Sequence, residues 1–117
     1  MALPSLNLSL KPKLEMISFV NNGAFDDTSF PDGVFDDLVS LKFFDFFGNN
    51  IATVKKSLFE SGWGENLLCV ALCNNQITEV EDGIFDTLTS LEQVYMHGNQ
   101  LENFDALDGL SVVQLTV

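Results

Sequence analysis

The sequence predicts an α/β-type solenoid, in which short parallel strands form one sheet and the return side consists mostly of loops or short helices. Three observations predict this fold: a motif with a leading Leu and a trailing Asn recurs four times, a second half-motif follows in the same phase, and apolar residues alternate within each copy. One copy cannot bury its own apolar face, so the copies must stack. We therefore expect a single domain over residues 1–117.

The first half of each repeat follows the template L-x-x-L-x-L-x-x-N-x-L, with related apolar residues allowed. The four copies begin at Leu14, Leu41, Leu67 and Leu91 and reach their Asn at Asn22, Asn49, Asn75 and Asn99. Both markers advance by 27, 26 and 24 residues, so they keep one phase. The predicted repeats are 14–40, 41–66, 67–90 and 91–109, with an N-terminal cap at 1–13 and a terminal strand at 110–117.

The second half of the repeat is recognised in the segments Phe30 to Leu38 and Val80 to Leu88, which share the ending G-x-F-D-x-L. The middle copy, Val54 to Trp63, is degenerate, and its Gly-Trp-Gly at 62–64 predicts a widened loop. A Phe recurs at matching positions, and we expect these rings to form a spine: Phe35, Phe59 and Phe85. The Asn amides are expected to form a ladder that satisfies main-chain groups at each turn.

Together these motifs resemble the leucine-rich-repeat family over roughly Leu14 to Leu107. The repeat ending is similar to the typical 24-residue class found in Toll-like and variable-lymphocyte receptors. The resemblance implies an arc with the parallel sheet on its concave face and a non-catalytic role in protein–protein interaction. The cysteine-rich caps of those receptors have no counterpart in this sequence.

The charge of the chain limits its partners. It has 17 Asp and Glu against 5 Lys and Arg, a formal net charge of -12. This charge repels nucleic acid and anionic membranes and favours basic partners, although an acidic surface also serves solubility alone. No apolar run approaches the roughly 18 residues that span a bilayer, and Met1 to Leu10, interrupted by Pro4 and Asn7, does not resemble a signal peptide.

Stacked strands would align their outward side chains in three columns on the concave surface. The first column holds Met16, Phe43, Cys69 and Gln93, the second holds Ser18, Asp45, Ala71 and Tyr95, and the third holds Val20, Phe47, Cys73 and His97. All of these except Ser18 and Val20 are predicted partner-binding residues. Phe43 and Phe47 are the predicted anchors, because the template does not require large apolar groups there. In the alternative interpretation, Phe47 is tucked under the loop at 62–64.

The two cysteines are expected to point outward from the same strand, about 13 Å apart, whereas a disulfide tolerates about 7 Å between Cα atoms. They cannot bridge each other, which favours a reducing, cytoplasmic compartment; the alternative is an extracellular fragment of a longer leucine-rich-repeat protein.

Cys73 and His97 would lie about 5 Å apart, which suits a nucleophile–base pair or half a metal site. No oxyanion stabiliser or catalytic motif accompanies them, and the acidic pairs lack EF-hand spacing. We therefore predict no catalytic residues, no metal and no cofactor.

The leading functional hypothesis is a non-catalytic module that binds a protein or peptide on its concave face. The alternative is a structural subunit that associates end to end through the terminal strand, because an open sheet edge invites pairing with a neighbouring chain. An enzyme that uses Cys73 and His97 is the third hypothesis.

Overall fold

The computed structural model describes residues 13–20, 30, 33–60, 62–103, 105–107 and 114–116. The predicted cap except Lys13, the first ladder residue Asn22 and most of segment 108–117 lie outside these residues. Within the described part, no helix is both long and apolar enough to cross a bilayer.

Seven short strands organise the described residues. In chain order they are β1 (Met16–Ser18), β2 (Phe43–Asp45), β3 (Thr53–Val54), β4 (Cys69–Ala71), β5 (Glu79–Val80), β6 (Gln93–Tyr95) and β7 (Gln114–Thr116). Five of them form one parallel sheet in the order β1-β2-β4-β6-β7. The predicted parallel sheet is therefore confirmed, and β7 falls in the segment predicted as the terminal strand.

The register of this sheet follows the phase of the repeat. Ile17, Phe44, Val70 and Val94 are aligned across neighbouring strands, and all four are buried. Because successive side chains in a strand point to opposite faces, the residues on either side of this row face solvent. The hydrophobic core thus lies between the sheet and the return segments.

The return side contains short helices, as predicted, and one feature that was not predicted. It contains the two 3₁₀ helices Lys56–Phe59 and Asp105–Leu107, and no α-helix occurs in the described residues. Strands β3 and β5 also pair in parallel as a second, two-stranded sheet that the repeat template did not indicate. Each of these strands contains a Val with a neighbouring polar residue, and stacking of the coils brings the two segments side by side.

The aromatic core contains the three predicted spine residues and one that the sequence did not place there. Phe35, Phe59 and Phe85 are buried, and the centroids of the Phe59 and Phe85 rings are 5.6 Å apart. Trp63 lies between Phe35 and Phe59, with its ring centroid 5.0 Å from that of Phe35 and 5.7 Å from that of Phe59. The loop at 62–64 is therefore not only a surface excursion, since its indole belongs to the core.

Gly64 allows the next coil to pack closely against the middle coil. The N–H of Leu67 donates to Gly64 O at 3.0 Å, as Leu91 N–H donates to Leu88 O at 3.2 Å one coil later, so Gly64 occupies the place of Leu88. A Cβ on Gly64 would collide with the Leu88 side chain. The middle coil thus lacks one core Leu side chain, and the Leu88 side chain of the next coil occupies the space beside Gly64.

An asparagine bridges adjacent coils at the ends of β2, β4 and β6. Asn75 Nδ2 donates to the carbonyl oxygens of Phe46 and Leu72, both at 3.0 Å, and its Oδ1 accepts from Ile51 N–H at 3.1 Å. Asn49 and Asn99 repeat the donor pattern at 2.6–3.0 Å. Asn49 Oδ1 accepts no hydrogen bond from the described residues. The equivalent donor, two residues after the preceding Asn, is residue 24, outside them.

Candidate functional site

The sheet register aligns the first two predicted columns. Met16, Phe43, Cys69 and Gln93 are paired in sequence across the sheet, as are Ser18, Asp45, Ala71 and Tyr95. β7 continues these two columns with Gln114 and Thr116, which were not among the predicted column residues. We call the solvent side of this sheet, defined by the three predicted columns, the strand face; it corresponds to the predicted concave face.

Main-chain hydrogen bonds extend the register beyond the strand ends into the third column. Gly48 N–H donates to Cys73 O and Asn74 N–H donates to His97 O, both at 2.9 Å. Phe47, Cys73 and His97 are therefore neighbours on adjacent coils. The pairing of the short strands and these additional main-chain hydrogen bonds together fix the positions of the three columns relative to one another.

The most exposed apolar groups of the strand face lie at its β1–β2 end. Met16 is 53% exposed and Phe43 is 41% exposed, and the two are directly paired. Val20, at the end of the third column, is also exposed. The remaining predicted binding residues, apart from Cys73 and the exposed His97, are half-buried: Asp45, Phe47, Cys69, Ala71, Gln93 and Tyr95. The apolar part of the face is thus a local patch rather than the whole surface.

The loop at 62–64 is on the opposite side of the sheet from Phe47. Trp63 of that loop contacts Phe44, a buried core residue, with ring centroids 6.0 Å apart. Phe47 is three residues beyond Phe44 and therefore belongs to the solvent-facing set in an alternating strand. The indole of this loop thus packs on the core side of the sheet, whereas alternation places Phe47 on the strand face.

Asp45 is fixed at the centre of the strand face. Its Oδ1 accepts from Phe47 N–H at 3.1 Å, and its Oδ2 accepts from Ser18 Oγ at 3.5 Å. Ser18 was not among the predicted binding residues, and its pairing with Asp45 in the next strand is what the shared column position indicates. The carboxylate is thereby held in one orientation beside the Met16–Phe43 patch.

The burial of Cys73 contradicts one prediction about this face. It was expected to point outward, but it is only 2% exposed, and its Sγ lies 3.4 Å from Nδ1 of His97 on the next coil. The structure contains both cysteines as free thiols. Neighbouring coils cover Cys73, an effect that alternation within its own strand cannot reveal. Cys73 therefore offers little surface to a partner.

Burial also determines the chemistry of the two thiols. Burial is the main cause that raises the pKa of Cys69 above its usual value, and Asp45 raises it further. The pKa of Cys73 is raised as well, mainly by burial, although a hydrogen bond from the main chain of His97 opposes this. A raised pKa disfavours the thiolate that a nucleophile requires. Among the described residues, no three His, Cys, Asp or Glu side chains are grouped so that they could hold a metal ion.

One comparison with known proteins, a match to a family model, agrees with this geometry. No curated protein matches the chain. Residues 65–117 match the family model for the leucine rich repeat. This segment includes strands β4 to β7 and the last two ladder asparagines, Asn75 and Asn99. Residues 65–117 are therefore identified as leucine-rich repeats, and the preceding coils join them in the same parallel sheet.

Proposed function

We propose that this protein is a non-catalytic interaction module that binds a protein or peptide on the strand face, centred on Phe43, Phe47, Asp45, Ala71 and Tyr95. Domains built from leucine-rich repeats generally mediate protein interactions, and the matched segment supplies that general expectation. We extend the repeat assignment to all four coils and to the typical 24-residue class. The raised thiol pKa values at Cys69 and Cys73 support a role without nucleophilic catalysis.

One observation supports this proposal most strongly, the exposed pair Met16 and Phe43. The repeat requires neither side chain to be large and apolar, because the fold is held by the inward residues on the other face. Exposed large apolar side chains in direct register form the kind of surface that partners bury. The patch is therefore the proposed anchor of the interface.

The charge of the face suggests the chemistry of the partner. Asp45 is the one acidic residue of the three columns, and Ser18 and the Phe47 N–H orient it. The whole chain carries a net charge of -12. We propose a partner segment that places an apolar side chain on Met16 and Phe43 and a Lys or Arg against Asp45.

The test replaces Phe43 and Phe47 with Ser in one double variant and compares it with the wild type in affinity purification from the native source. We expect the double variant to lose the main captured partner, because the aromatic ring of the Met16–Phe43 patch and the neighbouring ring of Phe47 are removed, while its circular-dichroism spectrum is unchanged. Val39→Ser is the matched control, since Val39 is an exposed apolar residue outside the columns. Capture of the same partner by the folded double variant would place the binding surface elsewhere.

A second candidate function is end-to-end assembly through β7. This strand is at one edge of the five-stranded sheet, and no described strand pairs with its outer side. An open edge can add a strand from another copy. Sedimentation velocity over a hundredfold concentration range tests it: growth of the sedimentation coefficient supports assembly, and a constant monomer value removes it.

The compartment and the boundaries of the domain remain part of the proposal. We propose a reducing, cytoplasmic location, which two free cysteines that cannot bridge each other would suit. We also propose one domain over 1–117, with an N-terminal cap at 1–13 and a terminal strand at 110–117. Thiol titration of protein isolated without reductant from its source tests the compartment, since two free thiols per chain are expected.

A further inference from the structure

The return side contains a cavity of about 400 Å³ between two neighbouring coils. Its walls are corresponding apolar residues of the two coils together with the inserted indole: Phe30, Val34, Phe35, Val54, Leu58 and Trp63. The floor is the buried core, and the charged lining residues Asp36, Lys55 and Glu60 are exposed at the solvent side. The apolar walls are thus accompanied by half-buried Thr53 and exposed Ser57, and the charged side chains lie at the entrance. The cavity lies on the core side of the sheet, opposite the strand face.

The cavity has a cause in the sequence. Phe59 precedes Leu67 by eight residues, whereas Phe85 precedes Leu91 by six, so the middle coil has two extra residues. Gly64 replaces the core Leu of the other coils, as the matching main-chain hydrogen bonds show. The Leu88 side chain of the following coil occupies the space beside Gly64, and neither residue lines the cavity. Trp63, which lies in the longer segment, is the part of it that forms a cavity wall.

Comparison of equivalent positions along the stack shows this local gap. Val34, Leu58 and Ile84 occupy the same place in successive coils, directly before the spine Phe. Ile84 is 1% exposed, as a packed core residue should be. Val34 and Leu58 are only partly buried, although both pack against the core. Apolar surface that one coil buries is therefore left uncovered at the cavity.

We propose that this cavity binds a neutral, mostly apolar small molecule with an aromatic or fused-ring body. Its volume lies in the range of small-molecule sites, which are typically apolar with a few polar groups at the edge. Water is a poor occupant of the interior, since a water molecule needs several polar partners. The indole N–H of Trp63 does not offer one, because it already donates to Leu58 O at 2.8 Å.

The entrance argues against a strongly charged ligand. The exposed lining contains acidic and basic side chains together, and Lys56 near it pairs with Glu60 at 3.8 Å. No charged side chain lies in the buried part of the cavity among the described residues. An ionic group would lose its hydration there without gaining a partner.

The chain contains one tryptophan, so its fluorescence reports directly on this cavity. The experiment titrates the purified full chain with N-phenyl-1-naphthylamine, a neutral apolar fluorescent probe. We expect saturable binding of one probe per chain, with loss of Trp63 emission in proportion to the gain in probe emission. Absence of saturable binding by the wild-type protein would overturn the proposal.

Variants locate the probe. Val34→Phe adds a ring to the cavity wall and should weaken probe binding by about tenfold or more, because the ring occupies the ligand volume. Val39→Phe makes the same change at an exposed site outside the cavity and should bind as the wild type does. If Val34→Phe loses its native circular-dichroism spectrum, Leu58→Phe replaces it with the same expectation. Unchanged affinity in the folded cavity variant, or loss of binding in Phe43→Ser, would show that the probe binds elsewhere.

Discussion

At the scale of single residues, the asparagine ladder connects the coils more specifically than apolar packing can. Each ladder amide joins a carbonyl of its own coil to one of the preceding coil, and Asn49 and Asn75 are buried among apolar neighbours. Unpaired main-chain groups at these depths would be costly. The ladder therefore fixes the register that aligns the columns of the strand face.

Asn75→Ala should lower the free energy of unfolding by about 1–3 kcal/mol, because it leaves the buried N–H of Ile51 without its acceptor. It also removes one of the two amide donors at each of the carbonyls of Phe46 and Leu72. Urea denaturation followed by circular dichroism measures the change. Gln76→Ala, at the exposed neighbouring position, is the control and should shift stability by less than about 0.5 kcal/mol. Equal effects of the two substitutions would contradict a special role for Asn75.

The two thiols should react slowly near neutral pH. Burial raises the pKa of both, so the thiolate fraction stays small and the alkylation rate should continue to rise as the pH increases above the usual thiol range. Cys69, which is half-buried, should be labelled before the buried Cys73. Timed iodoacetamide labelling with peptide mass spectrometry measures both rates. Fast, selective labelling of Cys73 at pH 7 would instead support the enzyme hypothesis.

At the scale of elements, the middle coil departs from its neighbours and determines the shape of the return side. The 3₁₀ helix Lys56–Phe59 is followed by a longer path to the next strand, and Trp63 turns inward along it. The glycine at 64 lets this path pass close to Leu88 of the following coil. One coil thus combines tight packing against its successor with a cavity against its predecessor.

Gly64→Ala should destabilise the protein by about 1–3 kcal/mol, because the new methyl group overlaps the Leu88 side chain. Combining it with Leu88→Ala should cost less than the sum of the single changes, since the shorter side chain removes the overlap. Gly62→Ala is a useful contrast: open space surrounds it, and its φ of +82° predicts a cost of about 1–2 kcal/mol from backbone strain alone. Thermal and urea unfolding of the four variants provide the comparison. Strict additivity of the Gly64 and Leu88 changes would contradict the contact.

At the scale of the whole molecule, charge opposes the compact state while the stacked core maintains it. The chain has a net charge of -12, and the ion pairs Lys42–Glu15 and Lys56–Glu60 are exposed on both sides. Exposed pairs of this kind contribute little to stability. Mutual repulsion among the many carboxylates is therefore the larger electrostatic effect.

Raising the NaCl concentration from about 10 mM to about 200 mM should increase the free energy of unfolding at pH 7, because screening weakens repulsion more than it weakens these few attractions. Urea denaturation at several salt concentrations measures the trend. Sucrose at matched osmolality is the control for a general solvent effect. A steady decrease in stability with salt would indicate that attractive pairs dominate instead.

The sequence by itself determined the repeat phase, the alternation of inward and outward residues and the position of each ladder asparagine. These features depend on local geometry: a strand alternates faces every residue, and similar repeat lengths align equivalent residues, so the repeat phase alone places Phe43 beside Met16. The burial of Cys73, the pairing of β3 with β5 and the inward turn of Trp63 were decided only by tertiary structure. Each depends on how closely a neighbouring coil approaches, a distance set by side-chain packing between segments about two dozen residues apart.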